Sequence, residues 1–187
     1  MFAGHFGVAA AVKAKAPEVP LWALFVGTQL YDLIFLPLSM LGLETLEGEG
    51  YGGAFITAFY SHSLVSALVI AGLAAWLAAA RWGMRAGVIL GLVTFSHWLL
   101  DLIVHRPDLA LLPGNLGNLP LIGLGLWTMP AASLALEIAI LATGGLLYFR
   151  YAWRSAGPGK RGRGMAKGVA MLLFLAAALA MDVIPTL

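Results

Sequence analysis

Residues Phe95–Asp108 read FSHWLLDLIVHRPD and place His97, Asp101 and His105 four residues apart in an otherwise apolar run. At 3.6 residues per turn these side chains fall within about 80° of one another, a polar stripe along an oily helix. The surrounding chain says what solvent that helix meets. Of 187 residues, 61% are hydrophobic and 11% charged, and the mean hydropathy is +0.91. Such values lie outside the range of soluble domains and predict an all-α, polytopic integral membrane bundle. A hydrocarbon core about 30 Å thick needs roughly 20 apolar residues per helical span. Five runs meet that length, at about 21–43, 54–80, 86–104, 121–149 and 168–187. The segment FAGHFGVAAAV before Lys13 is too short to cross and lacks the basic start of a secretory signal, so residues 1–16 read as a retained half-helix in a single transmembrane domain.

Charge orients the bundle. Lysines and arginines gather at Lys13 and Lys15, at Arg81 and Arg85, and from Arg150 to Lys167, which are alternate loops. Placing these on the cytoplasmic side puts ten of the eleven bases inside, and leaves the acidic loop ETLEGEG (Glu44–Gly50), the 105–120 loop and the C-terminus outside. The sequence pI of about 9.1 is therefore a matter of topology, and no nucleic-acid partner is expected. SAGPGKRGRG (Ser155–Gly164) lacks the spacing and following hydroxyl of a Walker phosphate loop, and reads as a solvated loop attracting anionic lipid. With no cysteine, disulfides, thiolate metal sites and cysteine nucleophiles are excluded.

The informative residues are the charges inside the spans. Asp32, Asp101, Glu137 and Asp182 lie in apolar runs with His62 and His97, and no span interior supplies a lysine or arginine. Carboxylates buried without basic partners must be protonated, hydrogen-bonded or neutralised by a bound cation. A rise of about 1.5 Å per residue puts His5, Asp32, His62, His97 and Asp101 in one layer, roughly 15 to 27 Å from the cytoplasmic boundary. Imidazole with carboxylate is the ligand set of zinc, iron or manganese, and a His-x-x-x-Asp pair presents both to one ion. The expected metal residues are thus His5, Asp32, His62, His97 and Asp101, holding a divalent metal such as zinc. His105, about 30 Å up, falls at the outer interface as a further ligand, a proton shuttle or an exposed loop residue. Glu137 is a candidate general base or second-metal ligand. Thr28, Gln29, Ser66, Thr94 and Ser133 are candidates to orient these groups.

GHFGVAAAVKAKAP (4–17), LFVGTQLYDLIF (24–35), FYSHSLVSALV (59–69) and FSHWLLDLIVHRPDL (95–109) together resemble the small bacterial membrane proteins catalogued as membrane-bound metal-dependent hydrolases. That group is distantly similar to zinc-dependent phospholipase C and single-strand nucleases. The resemblance weakens through GLGLWTMPAASLALE (123–137) and covers the last span by hydropathy only. It implies motif ligands at His5, Asp32, His62, His97 and Asp101; in a hydrolase built on them, Glu137 or His105 is expected to transfer protons. Many relatives carry Asp-x-Asp or Asp-His at the end of the second segment, where this chain has Asp32 alone. The expectation is an intramembrane hydrolase of a phosphoester on a membrane lipid or other amphiphile, in a bacterial cytoplasmic membrane. Two alternatives use the same residues: a metal-ion or proton transporter, and a non-catalytic protein with a structural metal. A transporter needs polar groups reaching both faces, whereas the inner halves of the spans are nearly free of them.

Overall fold

The computed structural model describes residues 1–48, 50–53 and 55–184. The chain is a helical membrane bundle. Four helices are long and apolar enough to cross a membrane: α4 (Leu64–Trp82), α5 (Met84–Val104), α6 (Pro130–Ser155) and α7 (Arg161–Val183). The pair α2 (Leu21–Thr28) and α3 (Leu30–Met40), bent by 48° at Gln29, is long and apolar enough only when taken together, as a broken span or a re-entrant loop. Helix α1 (Phe2–Lys15) is the expected half-helix, 14 residues long, and at 1.5 Å per residue it reaches about 21 Å.

Small residues let these helices approach closely, as hydrocarbon surroundings require. A Cβ built on Gly144 of α6 would stand 2.0 Å from the Gly7 carbonyl oxygen of α1, and one on Gly7 would stand 2.9 Å from the Ile140 carbonyl oxygen. Helix α1 is thereby embedded against α6, with Ala3, Gly4, His5, Gly7, Ala9 and Ala10 all buried. Gly83 ends α4 at φ +92° and starts α5, making a tight hairpin. The bases collect at this end of the bundle. Arg85 Nε lies 3.1 Å from Glu18 Oε1 in the α1–α2 connection, and Lys13 borders the α6–α7 turn.

Several span boundaries differ from expectation. The run expected at 54–80 starts as helix only at Leu64, where the Ser63 hydroxyl accepts from Ser66 N–H. Before it, β1 (Thr45–Glu47) pairs antiparallel with β2 (Phe55–Thr57), Thr45 opposite Thr57. His62 is consequently in the loop ahead of α4, not within a span. The run at 121–149 becomes helical at Pro130, because residues 105–129 fold back over the bundle: Leu109 and Ile122 bridge each other, and Gly125 N–H donates to His105 O at 2.7 Å. Helix α7 begins at Arg161, earlier than 168. Its expected end and the C-terminus, Pro185–Leu187, lie outside the described residues.

Candidate metal centre

Asp101 sits at the focus of the polar layer. Its Oδ2 is 2.9 Å from His97 Nε2 and 3.7 Å from His62 Nε2, while its Oδ1 is 3.5 Å from His5 Nε2 and 4.0 Å from His105 Nε2. Asp32 Oδ1 lies 3.4 Å from His62 Nε2 and 3.7 Å from His97 Nε2. Four imidazoles thus turn the same nitrogen toward two carboxylates. They come from α1, α5, the loop before α4 and the residue after α5, so the site exists only in the assembled bundle. Two overlapping groups have ligand atoms within 4.8 Å of one another, His5–His97–Asp101 and Asp32–His62–His97, and either can hold a metal ion.

The other ring nitrogens are also occupied. His5 Nδ1 bonds to the Met1 carbonyl, and His97 Nδ1 to the Thr28 carbonyl at 2.6 Å. His105 Nδ1 is 2.9 Å from Asp108 Oδ1. His62 Nδ1 is 2.7 Å from Ser61 Oγ, which donates to Glu44 Oε2 at 2.7 Å. A carbonyl or carboxylate oxygen only accepts, so Nδ1 carries the proton and, in the neutral ring, Nε2 presents a lone pair. Metal-binding histidines are oriented in this way, through the nitrogen that does not bind the metal.

The donor set fits a cation on a further count. Nε2 lone pairs facing carboxylate oxygens repel unless a proton or a metal ion lies between them, and no lysine or arginine lines the cavity. His5 Nε2 is fully buried without a hydrogen-bond partner. An orphaned buried nitrogen costs about 1–3 kcal/mol, which coordination would remove.

Local structure explains each placement. The α2–α3 break leaves the Thr28 carbonyl beside His97 and turns Asp32 into the site. Tyr31 packs its ring 5.1 Å from that of His97 and donates its hydroxyl to Ala67 O at 2.9 Å, joining α3 to α4. Glu44 accepts from Tyr60 N–H at 2.7 Å and Ser61 N–H at 2.9 Å, fixing the loop that carries His62. Arg106 donates to Gly52 O at 2.9 Å and lies over the Phe55 ring, tying the β-hairpin to the fold-back loop.

The site opens into a cavity of about 580 Å³ walled by Phe2, Phe6, Leu33, Phe35, Leu36 and Trp127. Leu33 and Leu36 are 53% and 59% exposed on the outer face of α3, so the cavity meets the bundle's lipid-facing side. At its other end an apolar cluster including Leu24, Leu90 and Val93 is closely packed.

The five expected metal residues therefore come together. His105 joins them instead of standing at the outer rim: it is 3% exposed, because residues 105–129 cover it and the Trp127 ring lies 4.3 Å away. Glu137 is fully buried and is not among the residues lining the cavity. Its Oε1 accepts from Gly4 N–H at 2.7 Å and its Oε2 from the Tyr51 hydroxyl at 2.8 Å. Burial, with the Glu137 carboxylate adding to it, holds the Tyr51 phenol above its ordinary pKa, so it serves as a donor. Asp182 Oδ2 accepts from Ala3 N–H at 3.4 Å. Two carboxylates thus cap the first turn of α1, where the helix dipole favours negative charge. Among the expected orienting residues, Thr28 acts through its carbonyl, Ser133 bonds Tyr51, and Ser66 pairs with Ser63 and not with His62. Glu44, Ser61 and Tyr51 were not singled out by sequence. The Ser-His-Ser run at 61–63 is a signal for Ser61 alone; Glu44 and Tyr51 carry none.

Comparison with protein-family models, curated proteins and solved structures found no match to this chain.

Proposed function

We propose that the protein is an intramembrane metal-dependent hydrolase that cleaves a phosphoester on a lipid or other amphiphile. The observation carrying this reading is the alignment of four histidine Nε2 atoms on Asp32 and Asp101, each ring held through Nδ1, beside an apolar cavity. His5, Asp32, His62, His97 and Asp101 would hold the ion, with zinc the metal that best suits this donor set. When bound, such an ion supplies Lewis acidity toward a phosphoryl oxygen and acidifies water.

The chain's own groups complete the chemistry. The Leu33 and Leu36 side of the cavity admits an acyl or isoprenoid tail laterally, and Phe2, Phe6 and Phe35 exclude water around it. Held by Asp108 through Nδ1, His105 points its Nε2 lone pair into the site, placed to take a proton from the attacking water and pass it to the leaving oxygen. Glu137 and Asp182 keep α1, and with it His5, in register. The apolar cluster beyond the site supports a one-sided cavity over a pore. The resemblance to bacterial membrane-bound metal-dependent hydrolases, and the gathering of the bases at one end, support a bacterial cytoplasmic membrane with that end inside.

The test is elemental analysis of detergent-purified protein, followed by a screen of phosphoester amphiphiles. Wild type should carry at least one equivalent of divalent metal. His97→Ala, which removes the ligand shared by both groups, should lose the metal and the hydrolysis together. Metal-free wild type, or His97→Ala with intact turnover, overturns the reading.

A further inference from the structure

A second cavity, of about 540 Å³, lies toward the other ends of α1 and α6, with Lys13, Lys160, Arg163 and Lys167 on its walls and no acidic residue among them. Eight residues of α1 separate His5 from Lys13, about 12 Å at 1.5 Å per residue, so the two sites are distinct. Lys13 Nζ is tied to the Pro17 and Val19 carbonyls at 2.7 and 2.8 Å. Among the described residues, Lys160, Arg163 and Lys167 have no carboxylate within ion-pair reach.

Bases at such a position are ordinarily explained by helix dipoles, since cations favour helix C-termini. That explanation suits Lys13 near the end of α1 and fails for α7, which begins here. Lys160 is its N-cap residue, with no side-chain capping bond, and Arg163 and Lys167 follow at spacings that place all three on one face. Lys160 and Arg163 stand at the positive end of the dipole with Lys167 one turn further in, so the three like charges repel one another and the first two also oppose the helix dipole. An anion in the cavity removes both penalties. Tyr148 and Tyr151 line the same space, and Arg161 lies over the Trp153 ring at 5.9 Å. Tyrosine and tryptophan at a helix end mark headgroup depth.

We propose that this cavity binds a phosphate group, carried by an anionic lipid headgroup or free in solution. The inference does not rest on the hydrolase reading.

The detergent-purified full chain is titrated with phosphatidylglycerol, with phosphatidylcholine and with inorganic phosphate, following thermal stability and lipid adducts by native mass spectrometry. Phosphatidylglycerol should bind in preference to phosphatidylcholine. At about a factor of five per basic residue, Arg163→Gln with Lys167→Gln should weaken binding about 25-fold. Arg81→Gln with Arg85→Gln makes the same change in net charge at the same end of the bundle, outside the cavity, and should have little effect. Competition by millimolar inorganic phosphate assigns the site to free phosphate, and no competition assigns it to lipid; either supports a phosphate site. Equal losses in the two double variants, or no preference for phosphatidylglycerol or phosphate over phosphatidylcholine, overturn it. All four substitutions fall on side chains that are not buried, so monodispersity should be retained.

Discussion

Glu44 shows how one hydrogen bond can determine which nitrogen of a histidine is available. Its Oε2 accepts from the Ser61 hydroxyl, which leaves Ser61 Oγ free to accept from His62 Nδ1–H and sets the His62 Nε2 lone pair toward Asp32 and Asp101. In Glu44→Gln the amide keeps an oxygen for the Tyr60 and Ser61 N–H groups but presents NH₂ to Ser61. The hydroxyl then accepts from Gln and donates to Nδ1, moving the ring proton to Nε2, where it blocks coordination. Metal affinity should fall by about 10- to 100-fold, the range for residues that orient a ligand, while the fold persists. Competition with a chromophoric chelator measures this, and unchanged affinity in Glu44→Gln would remove Glu44 from the positioning role. The contrast with Asp32 and Asp101 explains what the sequence could disclose. A carboxylate in an apolar run is costly and therefore conspicuous. Glu44 opens a loop that already contains Glu47 and Glu49, so nothing distinguishes it until the hairpin folds back and buries it.

At the scale of elements, hydropathy finds the helices but not always their ends. The 86–104 run matches α5 closely because Gly83 and His105 bound it. The errors fall where connections are themselves apolar, as in FITAFY and LIGLGLWTM, since a short hydrophobic run reads alike as helix or as chain packed over a bundle. The half-helix α1 was legible from its length, but its depth in the bundle depends on Gly7 and Gly144, whose closeness no periodicity reveals. That contact carries a prediction. A methyl at Gly144 meets the Gly7 carbonyl oxygen, so Gly144→Ala must push α1 away from α6 and move His5 off Asp101. Overpacking of this kind costs typically 1–3 kcal/mol. The variant should unfold at lower temperature and lose metal. Gly72→Ala on α4, where a Cβ meets nothing within 4 Å, should do neither. Metal content equal to wild type in a folded Gly144→Ala protein would show that His5 does not depend on this packing.

Across the whole molecule, the two cavities give the bundle a direction. One end carries the His–Asp site beneath the β-hairpin and the 105–129 fold-back; the other carries the three basic clusters. On the proposed reading, with the basic end in the cytoplasm, a substrate would reach the His–Asp site from the outer leaflet and water would enter from outside. The absence of native cysteine makes the orientation directly measurable. Leu116, 72% exposed in the fold-back loop, and Gly162, where a Cβ meets nothing within 4 Å in the first turn of α7, are suitable single-cysteine sites at opposite ends. In intact spheroplasts a membrane-impermeant maleimide should label Leu116→Cys at once and Gly162→Cys only after lysis. The reverse pattern would put the metal residues on the cytoplasmic side and require a cytoplasmic-leaflet substrate. Labelling of both sites in intact spheroplasts would mean mixed orientation, which a strong bias of Lys and Arg between loops acts against.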